Sequence, residues 1–240
     1  GFTTNTCFAI KPDGTQLYVQ DYANATVYEY DINTAWDIST VNSTSTASYT
    51  TTGEQAGELR FKPDGTKFYL IANGTDSITQ YSLSTAWDLS TASTDSATLD
   101  VSTQETGPVA MTFNDDGTLV FVTGFTGSEI HQYSLSTAWD ISTASYDSVS
   151  FDTTTPEANL SSLFFSSDGT KMYAMSFNSD SIYQFSTDST SVNTITWPTS
   201  VDWSGGTASS APDSGVTAIY SFVTDDGGTS YFGNVGITYE

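Results

Sequence analysis

Short runs with large apolar residues at alternate positions, bounded by Gly, Asp, Asn and Pro, recur along most of the chain. That pattern predicts strands and leaves no helical period long enough to matter. The stretch from Leu59 to Thr91 reads LRFKPDGTKFYLIANGTDSITQYSLSTAWDLST. Its first predicted strand is Glu58 to Lys62, with Leu59 and Phe61 on one side. Pro63-Asp64-Gly65 supplies a tight turn, because Gly tolerates positive φ and Pro lacks the donor a ladder needs. Lys67 to Ala72 is the second strand. Ser77 to Leu83, after the polar turn Asn73-Gly74-Thr75-Asp76, is the third. The loop STAWDLSTAS leads to a weaker fourth, Ser96 to Val101.

Near-copies of this unit lie before and after it. Asp13-Gly14, Asp64-Gly65, Asp116-Gly117 and Asp168-Gly169 place the turn glycines 51, 52 and 52 residues apart, and Trp36, Trp87 and Trp139 are 51 and 52 apart. A period near fifty with four strands per unit is the signature of a β-propeller blade. The fold class read from the chain is therefore all-β: a β-propeller of four visible four-stranded blades, plus a small C-terminal β module. The blades run at about 1–52, 53–104, 105–155 and 156–196, and the module is 197–240. Aligned by register, Phe8, Leu59, Met111 and Leu163 are equivalent, as are Tyr18, Tyr69, Phe121 and Tyr173, and Val27, Ile78, Ile130 and Ile182. Such positions stay apolar because a blade is sandwiched between neighbours. Four units can close a small ring or form an arc of a larger one. Each Trp is expected to be buried over the outer end of its blade. In the fourth unit Ser191 takes its place.

Composition narrows the partners. Five Lys and Arg against 28 Asp and Glu give a net charge of −23. Phosphate recognition needs clustered cations, so no nucleic-acid partner is expected. No run reaches the length of a membrane-spanning helix, so no membrane insertion is expected either. Cys7 is the single cysteine and reads as packing. The single histidine, His131, leaves no two-His metal site or triad. Each Asp-Gly turn offers one or two ligand oxygens, fewer than a Ca²⁺ loop wants. Neither a metal nor a cofactor is expected. Glu58 and Arg60 flank Leu59 and depart from the repeat; they read as an ion pair between blades or in the channel.

FKPDGTKFYLIANGTDSITQYSLSTAWDLSTAS resembles the repeats of predicted bacteriophage virion proteins of the tail-fibre-like kind. The end, ITWPTSVDWSGGTASSAPDSGVTAIYSFVTDDGGTSYFG, is similar to a phage tail-type C-terminal β module. PDGT alone is shared with lactonase-like and surface-layer propellers. The resemblance implies a non-enzymatic virion structural protein, tail-fibre-like or decorating, used for host-surface attachment. Its partners would be other virion proteins, a second copy of itself as a homo-oligomer, and a host-surface glycan or protein, and its location the virion. The alternative is a bacterial or archaeal surface-layer or adhesin-type propeller, at the cell surface or secreted. A lactonase-like propeller enzyme ranks third, because the lone histidine, the regular repeats and the C-terminal module argue against it.

The second-to-third-strand loops are constant in length but free in sequence, as recognition loops on a rigid scaffold are. They supply the candidate ligand-binding residues Tyr22, Asn24, Asn73, Asp76, Phe125, Glu129, Phe177, Asn178 and Asp180. Aromatic rings beside Asn and Asp suit stacking on, and hydrogen bonding to, a sugar. No catalytic residue is expected.

Overall fold

A computed structural model describes residues 5–51, 56–154, 159–166, 169–179 and 181–187, and the backbone of 201–203, 217–223 and 231–239. The chain divides into two compact units, 1–185 and 186–240. The first unit is built of blades. Blade one holds β1 (Asn5–Ile10), β2 (Gln16–Asp21), β3 (Thr26–Asp31) and β4 (Ala47–Thr50). Blade two holds β5 (Ala56–Phe61), β6 (Lys67–Ala72), β7 (Ser77–Leu83) and β8 (Ala92–Asp100). Blade three holds β9 (Pro108–Phe113), β10 (Leu119–Gly124), β11 (Glu129–Leu135) and β12 (Ala144–Asp152). Blade four shows β13 (Leu160–Phe165), β14 (Lys171–Ser176) and β15 (Ile182–Ser186). Each sheet is an antiparallel meander in chain order. The all-β propeller architecture is thus as the repeat pattern predicts. A fourth strand of the last blade falls outside the described residues.

In the second unit, β16 (Val201–Trp203), β17 (Thr217–Val223) and β18 (Tyr231–Tyr239) form one sheet. β18 lies in the middle, parallel to β16 and antiparallel to β17.

The innermost strands pack in series, β1 on β5, β5 on β9 and β9 on β13. No comparable packing of β13 on β1 exists among the described residues. The apolar cores lie between blades. Tyr18 and Val27 of blade one pack with Leu59, Phe68 and Leu89 of blade two. Tyr69 and Ile71 of blade two pack with Met111 and Ile141 of blade three, and Val109 and Ile130 of blade three with Leu163 and Met172 of blade four. Cys7, partly buried, belongs to the first of these cores.

The tryptophans correct one expectation. Each lies against the turn glycine of its own blade, and the Trp36, Trp87 and Trp139 N–H groups donate to the Gly14, Gly65 and Gly117 carbonyls at 3.0, 2.9 and 2.9 Å. Trp87 and Trp139 are half-buried, but Trp36 is 63% exposed. The difference arises because a blade precedes the second and third blades, whereas no described blade packs on the first from that side. After each Trp, the Asp carboxylate caps a single 3₁₀ turn by accepting the N–H two residues on, as Asp88 does from Ser90 at 2.9 Å.

Candidate active site

The departure from repeat regularity at Glu58 and Arg60 sits on β5, an innermost strand. The Arg60 guanidinium pairs with the Glu58 carboxylate. It also donates from Nε to the Met111 carbonyl at 3.1 Å and from Nη2 to the Leu163 carbonyl at 2.8 Å. Glu58 Oε2 accepts the Met111 N–H at 2.7 Å. The ion pair is present, but within β5 of blade two rather than between blades; what crosses the blades is the hydrogen bonding, by which one arginine ties the inner strands of blades two, three and four. Burial pushes the Glu58 carboxyl up to about 7, with the Arg60 charge and the Met111 N–H only partly offsetting it.

Arg60 also lines a cavity of about 440 Å³, with Phe61 and Pro63 of blade two and Phe113, Asn114, Asp115 and Trp139 of blade three. That volume is in the range of small-molecule sites. Two sides of its wall are aromatic, and the ring of Phe113 leans on Trp139 at 5.1 Å. Arg60 Nη1 has no partner among the described residues, although Nε and Nη2 are fully engaged. The cavity wall thus holds a tethered cation and the Asp115 carboxylate beside apolar rings, while the Asn114 amide is bonded within its own turn to Thr118 and the Leu119 N–H. Among the described residues no three His, Cys, Asp or Glu side chains gather as a metal site.

The loop residues taken as ligand contacts fall elsewhere. Phe125 and Phe177 meet across blades three and four at 5.0 Å. Phe177 and Asn178 are exposed. Asn24 is exposed and donates to Asp21 at 2.8 Å, and Tyr22 is half-buried in the same blade-one loop. Asn73 is exposed, and Asp76, three residues on, holds φ +46° with a buried Oδ1 that has no hydrogen-bond partner among the described residues. Glu129 accepts the Ser150 hydroxyl at 2.9 Å. Asp180 lies outside the described residues. The structure thus brings together one pair of the set, Phe125 and Phe177.

Sequence reasoning missed Glu105. Its buried carboxylate accepts the Gly107 N–H at 2.8 Å, the Thr126 and Gly127 N–H groups at 3.1 and 2.9 Å, and the Thr126 hydroxyl. It pins the loop carrying Phe125. His131 is buried in blade three, its Nδ1 3.4 Å from the Tyr146 hydroxyl and its Nε2 3.8 Å from Glu129. It has no place on the cavity wall. Asn114 and Asp115, which are on that wall, replace the Lys-Pro of the first two turns (Lys11-Pro12 and Lys62-Pro63). That break in the repeat was the available signal.

Residues 4–203 match the model of the family described as lactonase, seven-bladed β-propeller. No curated protein matches the chain. Among solved structures it is similar to a protein from Lactobacillus plantarum at 15% identity and TM-score 0.58, covering 87% of this chain and 54% of that one. A protein of Bacteroides fragilis proposed to be a 6-phosphogluconolactonase matches at 14% identity and TM-score 0.56, covering 76% and 50%. A functionally unknown protein from Desulfotomaculum acetoxidans matches at 14% and TM-score 0.53, covering 73% and 50%. The chain spans about half the length of these solved structures. The family match overturns two expectations, that this is a virion structural protein for attachment and that it is not an enzyme. The repeats that suggested a phage fibre lie within the matched residues. A lone histidine does not by itself exclude ester chemistry, which a guanidinium and a carboxylate can serve.

Proposed function

Because the chain belongs to the lactonase family of seven-bladed β-propellers, we propose that it is a hydrolase that opens a lactone ring in the Arg60 cavity. The observation that carries this reading is an arginine tethered through Nε and Nη2, with no partner on Nη1 among the described residues, on the wall of a cavity that Asp115 also lines. A lactone carbonyl placed on Nη1 is polarised there, and the oxyanion formed when water adds to the carbonyl carbon is stabilised by the same charge. Asp115 takes the proton of the attacking water. It returns that proton to the ring oxygen as the acyl C–O bond breaks, giving a hydroxy acid. Glu58 is a positioning residue that holds the guanidinium. Phe61, Phe113 and Trp139 offer flat apolar faces to the ring.

A net charge of −23 repels anions. The reading therefore favours a neutral sugar lactone over a phosphorylated one. The test is hydrolysis of both kinds by the full chain. Arg60→Gln should lower kcat/KM for the neutral lactone by about 10²–10³-fold, and Asp115→Asn by about 10²–10⁴-fold, whereas Tyr22→Ala should leave it unchanged. Hydrolysis no faster than in buffer, or an active Arg60→Gln protein of native fold, would sink the reading.

A further inference from the structure

The contact between successive blades repeats in atomic detail. The Tyr18 hydroxyl of blade one donates to the Trp87 carbonyl of blade two at 2.5 Å, and Glu29 Oε2 accepts the Leu89 N–H at 2.9 Å. One blade on, the Tyr69 hydroxyl and Lys67 Nζ donate to the Trp139 carbonyl at 2.7 and 3.1 Å, and Gln80 Oε1 accepts the Ile141 N–H at 3.0 Å. Each trailing face thus grips the Trp turn of the next blade with a Tyr from its second strand and a Glu or Gln from its third.

Within the chain, the second-strand half of the grip varies with the Trp turn. In the fourth repeat Ser191 replaces the Trp. In the preceding blade the second-strand gripping residues become Leu119 and Phe121, which lack the ammonium and the hydroxyl, while Gln132 keeps the register of Gln80. Phe121 keeps only the ring contact, meeting Phe165 at 4.7 Å as Tyr18 and Tyr69 meet Phe61 and Phe113 at 4.5 and 4.6 Å. Yet blade four restores the full set: Lys171, Tyr173 and Gln184 stand in the register of Lys67, Tyr69 and Gln80. A matching Trp turn lies unfilled at the other end of the arc. Trp36 and Ile38 are 63% and 69% exposed, although Leu89 and Ile141, the equivalents of Ile38, are each 1% exposed. The Ile38 N–H and Trp36 carbonyl have no partner among the described residues.

The apolar residues tell the same story. Ile182 and Met175 are 72% and 46% exposed where Ile78 and Ile71 are fully buried, and Phe8 is 68% exposed where Leu59 is 1%. The two ends carry the two halves of the contact that joins successive blades.

We propose that the trailing face of blade four binds the leading face of blade one of a second copy of this chain, head to tail. Tyr173 and Lys171 then donate to the partner's Trp36 carbonyl, and Gln184 accepts from the partner's Ile38 N–H. This contact involves none of the residues on the Arg60 cavity wall. A head-to-tail contact uses different patches on the two copies, so it either closes a ring or extends.

The test is light scattering during size exclusion of the full 240-residue chain, with Tyr173→Phe, Gln184→Ala and Trp36→Ala variants. An oligomer is expected whose dissociation constant rises at least about tenfold in each variant. Because Trp36→Ala could disturb the first blade, a second measurement uses Cys7→Ser protein carrying either Ile38→Cys or Gln184→Cys. Mixing the two should give an intermolecular disulfide that neither forms alone. A monomer would leave these faces to further blades of a longer chain, and it would overturn the proposal. An oligomer indifferent to all three substitutions, or an absent cross-link, would overturn it as well.

Discussion

Gly65 and Gly169 occupy equivalent turns with nearly the same backbone, φ +74° and +70°, and differ in what lies over them. A methyl group on Gly65 would sit 2.2 Å from Trp87 Nε1, whereas one on Gly169 would meet nothing within 4 Å. Both positions penalise a side chain through the left-handed conformation, at about 1–2 kcal/mol. Only Gly65 adds a steric clash, worth roughly 1–3 kcal/mol more in a packed site. Gly65→Ala should therefore lower the unfolding free energy by about 2–5 kcal/mol, and Gly169→Ala by about 1–2 kcal/mol, in urea titrations. Equal losses would mean that the Trp ring moves aside freely. The recurring Asp-Gly was legible as a turn. The second reason for the glycine was not, because its neighbour in space is more than twenty residues away in sequence.

At the level of the STAWD turn, the sequence made the element and its own-blade glycine visible, but not its partner in the preceding blade. Periodicity reports what recurs inside a unit, and the turn recurs. Its contacts run from Tyr18 to Trp87 and from Tyr69 to Trp139, spans of 69 and 70 residues that cross a repeat boundary. No comparison within one unit displays them. The same limit hid the cavity, whose wall is shared by blades two and three. Glu58 and Arg60, by contrast, were visible because they break the register. The contacts also rank two substitutions. Tyr18→Phe leaves the Trp87 carbonyl without its donor. Tyr69→Phe leaves the Trp139 carbonyl still bonded to Lys67. Loss of a buried group's only partner costs about 1–3 kcal/mol, and loss of one of two about 0.5–1.5 kcal/mol. Tyr18→Phe is expected to be the more destabilising in thermal melts. In a Lys67→Met background Tyr69→Phe should become equally so, and additive behaviour in that double mutant would refute the shared carbonyl.

For the molecule as a whole, charge and the Glu58 site act in the same direction with pH. The Glu58 carboxyl titrates at about 7 in the fold and at 4.5 as an unperturbed group, burial being the main cause. Between those values the folded state binds more protons than the unfolded one, so stability falls as pH rises. The stabilisation is fully present below about 4.5 and gone above about 7, and its size is on the order of 3 kcal/mol. Self-repulsion from a net charge of −23 also eases on acidification. The turn carboxylates oppose this only in strong acid. Asp13 is held down at about 2 by the Thr15 hydroxyl and N–H, so the stability it gives is present above the ordinary carboxylate value and is lost as pH falls toward 2. Unfolding free energy should therefore be higher at pH 5 than at pH 7.5 by about 2–4 kcal/mol. Adding 0.5 M salt should remove the part due to global repulsion, because about 0.5 M salt shortens the screening length to roughly 4 Å. The part that survives in salt belongs to Glu58, and Glu58→Gln should abolish it. A native profile that is flat from pH 5 to 7.5 in salt, or a Glu58→Gln profile with the native slope, would show that the carboxylate is ionised throughout and that Arg60 overcomes its burial.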